Sequence, residues 1–350
     1  MRKPPKSVAS FAPTPPEKDD PNAPWAILLA AGRGQRLARL TRALYGRDLP
    51  KQFAALEGDD QTFLQRTMAR AARLSPSQKT IVVVSEEHAD LARAQLAAYE
   101  GVRIVEQPRD AGTLPGLLLP LAHVLDASPR ARVVVYPSDH HVDKLAPFLD
   151  AVTAALRGVD RAPARTVLVG ARADRAATDL GWIEPGHALR GGSAVSEAGE
   201  LAVERFVEKP NAAVAEGLLG AGALWNTLVL ALDGQTFWHE ALERHAALTQ
   251  PFTRYRSSIG KADERAVRRE IYADIPAVDL SRDLLSSLPG LAVVEMADAG
   301  WSDCGTPERL LEVLQQSGAL GGLLARLATV GLLPSDDARL PRDGWQRVAL

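Results

Sequence analysis

The sequence predicts an α/β protein with a doubly wound, mainly parallel, Rossmann-like sheet followed by a smaller mixed-sheet region. Three observations carry that prediction. Strand-like apolar runs alternate with helical patterns from Trp25 to about Ala171, the rhythm of successive βαβ units. The runs are near-continuous Val, Ile and Leu, as in strands covered on both faces. The first run ends abruptly in a loop with two glycines, Ala31-Gly32-Arg33-Gly34-Gln35-Arg36-Leu37.

Residues 1–24 hold seven prolines among charged residues and no apolar period, which predicts a disordered leader, with order beginning at Trp25. Strands are expected at Trp25–Ala31, Thr80–Ser85, Val102–Val105, Arg132–Tyr136 and Thr166–Ala171, with helices at Thr62–Leu74, Glu87–Tyr99, Pro115–Leu125 and Leu145–Leu156. Beyond Ala171 the rhythm changes. Gly181–Glu184, Val203–Glu208 and Ala223–Leu232 read as strands of a mixed or antiparallel region, and helices are expected at Phe237–His245, Asp263–Tyr272 and Arg282–Leu288. A last strand, Ala292–Met296, precedes helices at Pro307–Gln316 and Leu320–Leu327. Residues 25–305 are read as the main domain, divided near residue 171, and 306–350 as a helical tail, unassigned after Leu332.

Bulk properties narrow the function. The chain has 350 residues, 46% hydrophobic and 24% charged, with a formal net charge of -2. No global field favours nucleic acid or an anionic membrane. A single cysteine, Cys304, excludes an internal disulfide and a cysteine metal cluster and suits a reducing cytoplasm. No apolar run reaches the roughly 18 residues of a membrane span, and Met1-Arg2-Lys3-Pro4-Pro5 lacks the apolar stretch of a secretory signal.

The glycine loop lets backbone N–H groups close around an anion. Arg36 and Lys51, the latter in Pro50-Lys51-Gln52-Phe53, are placed to neutralise a polyphosphate. Leu37 stands where a dinucleotide fingerprint needs its third glycine, and Gly260-Lys261 lacks the remainder of a Walker loop. Asp139 ends an apolar strand in Tyr136-Pro137-Ser138-Asp139-His140. A carboxylate there holds Mg²⁺ against phosphate oxygens, or simply forms the turn. Asp303 follows a second core strand and is either a second acid over the same ion or a loop residue before the helix start at Thr306-Pro307.

Glu208-Lys209-Pro210 sets a carboxylate and an ammonium at a strand end, fit for a sugar and its phosphate or for a plain surface ion pair. Asn226 lies in an apolar strand and needs hydrogen-bond partners if buried. The loop from Gln107 to Thr113 offers groups for a base edge, or a simple strand-to-helix turn. The adjacent His140 and His141 do not read as a metal pair, Cys304 has no obvious partner for a nucleophilic role, and the Arg-rich helix Thr67–Arg73 reads as a solvated face.

The ordered set of motifs resembles the sugar-phosphate nucleotidyltransferases, most closely the mannose-1-phosphate guanylyltransferases. To the pieces above it adds Gly181-Trp182-Ile183-Glu184-Pro185-Gly186, Trp225-Asn226 and Gly300-Trp301-Ser302-Asp303, from about Trp25 to Thr306. The resemblance implies the nucleotide-diphospho-sugar transferase type of fold, with transfer from an NTP, GTP first, to a sugar 1-phosphate, mannose 1-phosphate first, releasing pyrophosphate. It implies Mg²⁺ on Asp139 and Asp303, and Arg36 and Lys51 on the triphosphate. Ala31, Gly32, Gly34, Gln107, Gly112 and Thr113 would contact nucleotide, and Gly181, Glu208, Lys209 and Asn226 the sugar phosphate. A homodimer is left open. The usual Gly-Tyr-Gly-Tyr-Ile sugar loop reads Asp179-Leu180-Gly181-Trp182-Ile183 here, and the loop from Arg109 to Pro115 is altered and lengthened. These departures keep two alternatives in view, another sugar 1-phosphate (glucose or heptose) and a non-catalytic nucleotide-sugar sensor.

Overall fold

A computed structural model describes residues 20–189 and 199–331. The leader up to residue 19 and the tail from residue 332 lie outside the described residues. Residues 20–24, expected to belong to the leader, are instead fastened to Lys79, the residue just before the strand Thr80–Ser85. Lys79 Nζ donates to the carbonyls of Asp20, Pro21 and Ala23 at 2.9, 2.8 and 3.0 Å.

In chain order the elements are β1 (Trp25–Ala30), α1 (Ala38–Tyr45), α2 (Phe63–Ala71), β2 (Thr80–Ser85), α3 (Ala89–Gln95), β3 (Arg103–Gln107), α4 (Thr113–Ala127), β4 (Arg132–Pro137), α5 (Leu145–Arg161) and β5 (Val167–Arg172). The second half follows with β6 (Gly181–Ala188), β7 (Glu200–Glu208), α6 (Ala212–Gly220), β8 (Leu224–Asp233), α7 (Gly234–Arg244), α8 (Ala246–Arg256), α9 (Glu264–Asp274), β9 (Ala292–Met296), α10 (Pro307–Gln316) and α11 (Leu320–Thr329). The helix expected at Arg282–Leu288 is a short π turn, Leu280–Leu284, running into a 3₁₀ turn. The pattern missed α1, α6 and α8. No helix among the described residues is long and apolar enough to cross a membrane.

The described strands form one sheet in the order β3-β2-β1-β4-β8-β5-β9-β7-β6. The half from β3 to β4 is parallel. "Mainly parallel" does not hold for the whole sheet. β8 enters antiparallel between β4 and β5, and the β6–β7, β7–β9 and β6–β8 pairings are also antiparallel. Nor is the mixed region a separate sheet. It is the far end of the same sheet, curled until β6 meets β8 again.

A kink in β8 allows that closure. Its register against β5 shifts between Val169 and Gly170, and Leu228 takes a left-handed φ of 55°. Asn226 Oδ1 accepts from Leu228 N at 3.0 Å, and Thr227 Oγ1 donates to the Val169 carbonyl at 2.6 Å. Past this bulge, Leu230 to Asp233 pair with β4 while Leu224 and Trp225 pair with β6.

Helices cover both faces. One apolar cluster packs α1, α2, α3, α5, α10 and α11 on the sheet. The other is centred on α4, buried from Leu114 to Leu125 with His123 as its buried polar residue, with α7, α8 and α9 outside it.

Candidate active site

The carboxyl ends of β1, β4 and β9 and the loops beyond them converge on one side chain. Lys51 is buried, and its ammonium lies 3.1 Å from Asp139 Oδ2. The same Nζ donates to the carbonyls of Asp303 (2.5 Å) and Cys304 (3.2 Å). One cation thus touches both acid-bearing loops. A two-way backbone bridge also joins the loops, His141 N to Ser302 O at 2.9 Å and Ser302 N to His141 O at 3.2 Å.

Asp139 remains 34% exposed. Burial pushes its carboxyl upward, but the Lys51 ammonium and His140 outweigh that and hold it below the ordinary carboxylate range. His140 itself is pushed down by burial against the pull of Asp139. His140 packs edge-on against Trp301, while His141 Nδ1 meets Glu57 Oε1 at 3.1 Å. The two imidazoles do separate tasks.

The glycine turn is stitched to the Lys51 segment. Gln52 Nε2 donates to the carbonyls of Ala30 and Gly32 at 2.8 and 2.7 Å. Gly34 has φ of 56°, and a Cβ there would stand 2.8 Å from Lys51 N. A Cβ at Gly32 would meet no protein atom within 4 Å. A recess of about 870 Å³ opens there, lined by Gly32, Arg33, Gln35, His88, Arg109 and Asp110.

Arg36, 56% exposed, does not project freely. Its Nη1 lies 2.8 Å from Asp179 Oδ2. The other oxygen of Asp179 accepts from Arg309 Nη2, and Arg309 Nη1 donates to both oxygens of Asp303, at 2.8 and 3.0 Å. Burial would raise the Asp179 carboxyl, but Arg309 and Arg36 hold it down.

Gly181, Glu208 and Asn226 converge at the closed end of the sheet. Gly181 pairs with Glu208 across β6 and β7. A Cβ on Gly181 would lie 2.6 Å from Glu208 Oε2 and 3.3 Å from Asn226 Cβ. Burial raises the Glu208 carboxyl even though Lys209 Nζ stands 3.1 Å away. Lys209 has φ of 47° and a 60% exposed side chain. Asn226 is occupied by the bulge and by Ser281 Oγ at 3.3 Å. Strand alternation turns Trp225 to the opposite face, beside a second recess of about 740 Å³ that Asp303 and Arg309 also line.

The Gln107–Thr113 loop is tied down by the protein itself. Gln107 Nε2 donates to Arg109 O at 2.7 Å, Thr113 Oγ1 accepts from Leu280 N at 2.7 Å, and Val278 N donates to Ala111 O at 3.0 Å. Gly112 caps α4 with φ of 87°. The Thr67–Arg73 stretch expected to be solvated is partly occupied, although Arg73 is exposed. Arg66 reaches Glu57 and Asp59, and Arg70 donates to the carbonyl of His140 at 2.8 Å while lying over Phe148. Burial lowers the Arg70 guanidinium to about 10. Sequence reasoning missed Asp179, Arg309, Glu57 and Arg70 as site neighbours. For Arg309 a signal existed, because the helix start at Thr306-Pro307 puts it in the first turn, within reach of the loop it follows.

A family model described as nucleotidyl transferase matches residues 25–318. The chain belongs to the nucleotidyl transferase family. It is similar to the xanthan biosynthesis protein XanB of Xanthomonas campestris, 30% identical over 83% of this chain and 60% of that protein. It is 28% identical to mannose-1-phosphate guanylyltransferase 2 of Escherichia coli O157:H7, again over 83% and 60%. A Thermus thermophilus structure described as mannose-1-phosphate geranyltransferase superposes with TM-score 0.70 and 28% identity, over 83% of this chain and 79% of that one. The chain spans about three fifths of the length of these curated relatives. The matched range includes every residue of the site described in this subsection.

Proposed function

We propose that the protein transfers a nucleotidyl group from an NTP to a sugar 1-phosphate, releasing pyrophosphate, with GTP and mannose 1-phosphate as the preferred pair. The observation that carries this reading is the single Lys51 ammonium joining the Asp139 and Asp303 loops beside the glycine turn. The names of the relatives favour guanine and mannose.

The attacking phosphate oxygen is already ionised near neutral pH, its second pKa being about 6, so no general base is needed. Two anions must be brought into line, and positioning with charge neutralisation does most of the work. The glycine turn and Arg36 would take the triphosphate, with Arg36 steadying charge on the departing pyrophosphate. Lys209, exposed and beside Glu208, would deliver the sugar phosphate, and Glu208 and Asn226 would accept sugar hydroxyls.

Asp139 and Asp303 would hold a hard divalent cation. Both are carboxylates on loops bridged by backbone hydrogen bonds, and Asp139 remains partly exposed. That donor set suits Mg²⁺, which uses one or two protein carboxylates and draws its remaining oxygens from phosphate and water. When bound, Mg²⁺ supplies positive charge to the attacked phosphate.

Pyrophosphate release from four NTPs against mannose, glucose and heptose 1-phosphates tests the reading. Turnover is expected to be highest with GTP and mannose 1-phosphate. A different best pair reassigns the substrates. No release above background with any pair rejects the enzyme reading in favour of a nucleotide-sugar sensor.

A further inference from the structure

Four charged side chains form one chain of alternating sign across the site. Arg36, from the glycine turn, meets Asp179, from the loop before β6. Asp179 meets Arg309, in the first turn of α10, and Arg309 meets Asp303. The chain continues through Lys51 to Asp139, because Lys51 Nζ takes the Asp303 carbonyl as it pairs with the Asp139 carboxylate. Arg309 is the central link. Its side chain is mostly buried, and its planar fork sends Nη1 to Asp303 and Nη2 to Asp179, a two-nitrogen spread that the single nitrogen of a lysine does not reproduce. Asp303 and Arg36 also flank Gly305, where an added Cβ would lie 2.3 Å from Asp303 Oδ2 and 3.0 Å from Arg36 Nη2.

This arrangement has an electrostatic consequence. The carboxylate proposed to hold a divalent cation already carries a guanidinium on both oxygens. Like charges in a partly buried site repel strongly, so Arg309 opposes cation entry even as it fixes the rotamer of Asp303. Asp179, shared between two arginines, meanwhile fixes Arg36 above the glycine turn.

We propose that Arg309 and Asp179 form a positioning pair for the transfer reaction: Arg309 orients Asp303 at the expense of cation affinity, and Asp179 holds Arg36 ready for the triphosphate. The proposal rests on the assignment of Asp139 and Asp303 as cation ligands. Neither residue of the pair is itself a catalytic residue. Both act through neighbours that touch substrate or ion.

The test uses Mn²⁺ alone, without nucleotide, its free concentration read by electron paramagnetic resonance over the full chain. Arg309→Ala is expected to bind Mn²⁺ at least about ten-fold more tightly than the wild type, while its kcat with the best substrate pair falls. Adding Asp303→Asn to Arg309→Ala should remove the gain. Arg309→Lys keeps the charge but loses the two-nitrogen fork that orients Asp303, so its Mn²⁺ affinity stays near wild type while kcat drops. Asp179→Asn leaves Arg309 on Asp303, so Mn²⁺ affinity is unchanged and the KM for NTP rises. A merely structural role would lower the melting temperature of all three single variants without this split. Should Arg309→Ala fail to fold, the nearly isosteric Arg309→Gln carries the same expectation. Neutral variants that bind Mn²⁺ no better than wild type overturn the proposal, as does a gain that survives Asp303→Asn. Failure of the enzyme reading is separate, because it shows as absence of pyrophosphate release from the wild type.

Discussion

Lys51 and Asp139 form an ion pair of 3.1 Å in which the buried partner is the lysine. The same lysine is fastened to the carbonyls of residues 303 and 304, so it works as a structural rivet for two loops and as the counter-charge for one acid. Asp139→Asn is expected to leave the fold intact and to abolish turnover. Full activity under limiting Mg²⁺ would remove Asp139 from the cation site. Lys51→Met should abolish turnover as well and, unlike Asp139→Asn, destabilise the fold. It leaves three acceptors without their donor, costing about 1–3 kcal/mol, and lets Asp139 drift back toward or above its usual pKa. Thermal melting and kcat measured side by side check this.

Gly181 stands where a methyl group would collide with the Glu208 carboxylate and crowd Asn226. Gly181→Ala is therefore expected to raise the KM for sugar 1-phosphate by about ten-fold or more, leaving the KM for NTP within error. Lys209→Ala should act in the same direction and on the same substrate. An unchanged sugar-phosphate KM in both variants would move the sugar site elsewhere.

Gly112 separates structural from ligand-binding roles in its loop. A Cβ there would lie 2.4 Å from the Val278 carbonyl, and φ is 87°. Gly112→Ala should cost on the order of 1–3 kcal/mol of stability from backbone strain alone, visible as a lower denaturant midpoint before any substrate is added. A variant as stable as wild type but weak in nucleotide binding would make Gly112 a ligand contact first.

His123 should make the protein sensitive to mild acid. It sits on α4, where Arg103 Nη1 approaches Nδ1 at 3.4 Å and Nε2 meets Tyr255 Oη at 2.7 Å; Tyr255 in turn donates to Glu264. This network fits the neutral ring with its proton on Nε2. Burial lowers its pKa from 6.5 to about 4, against a smaller opposing pull from Glu264. Between those values the unfolded chain binds the proton and the folded one does not, so stability is full above pH 6.5 and declines as pH falls toward 4. The loss approaches about 3 kcal/mol. Melting curves from pH 7.5 to 4.5 should show a steeper decline for wild type than for His123→Gln. Parallel declines would assign the acid sensitivity to other groups.

Much of the fold was legible because the parallel strands are buried on both faces, which forces unbroken apolar runs such as Thr80–Ser85 and Ala292–Met296. Helices α1 and α8 were hidden by polar residues, and in α8 also by Pro251, which the helix accommodates. An α2 arginine illustrates the opposite error. Arg70 lies in the Thr67–Arg73 stretch that reads as solvated, yet its guanidinium donates to the carbonyl of His140.

By itself the sequence determined which local segments form strands and turns and which residue types are available for polyphosphate chemistry, because burial and backbone sterics act over a few residues. Only the tertiary structure decided that β8 runs antiparallel between β4 and β5, that the sheet closes through a bulge at Leu228, and that Arg309 lies between Asp179 and Asp303. Those outcomes depend on pairings between residues far apart in the chain. No local propensity encodes them, and electrostatic partners separated by 130 residues, as Asp179 and Arg309 are, become neighbours only when the sheet has curled.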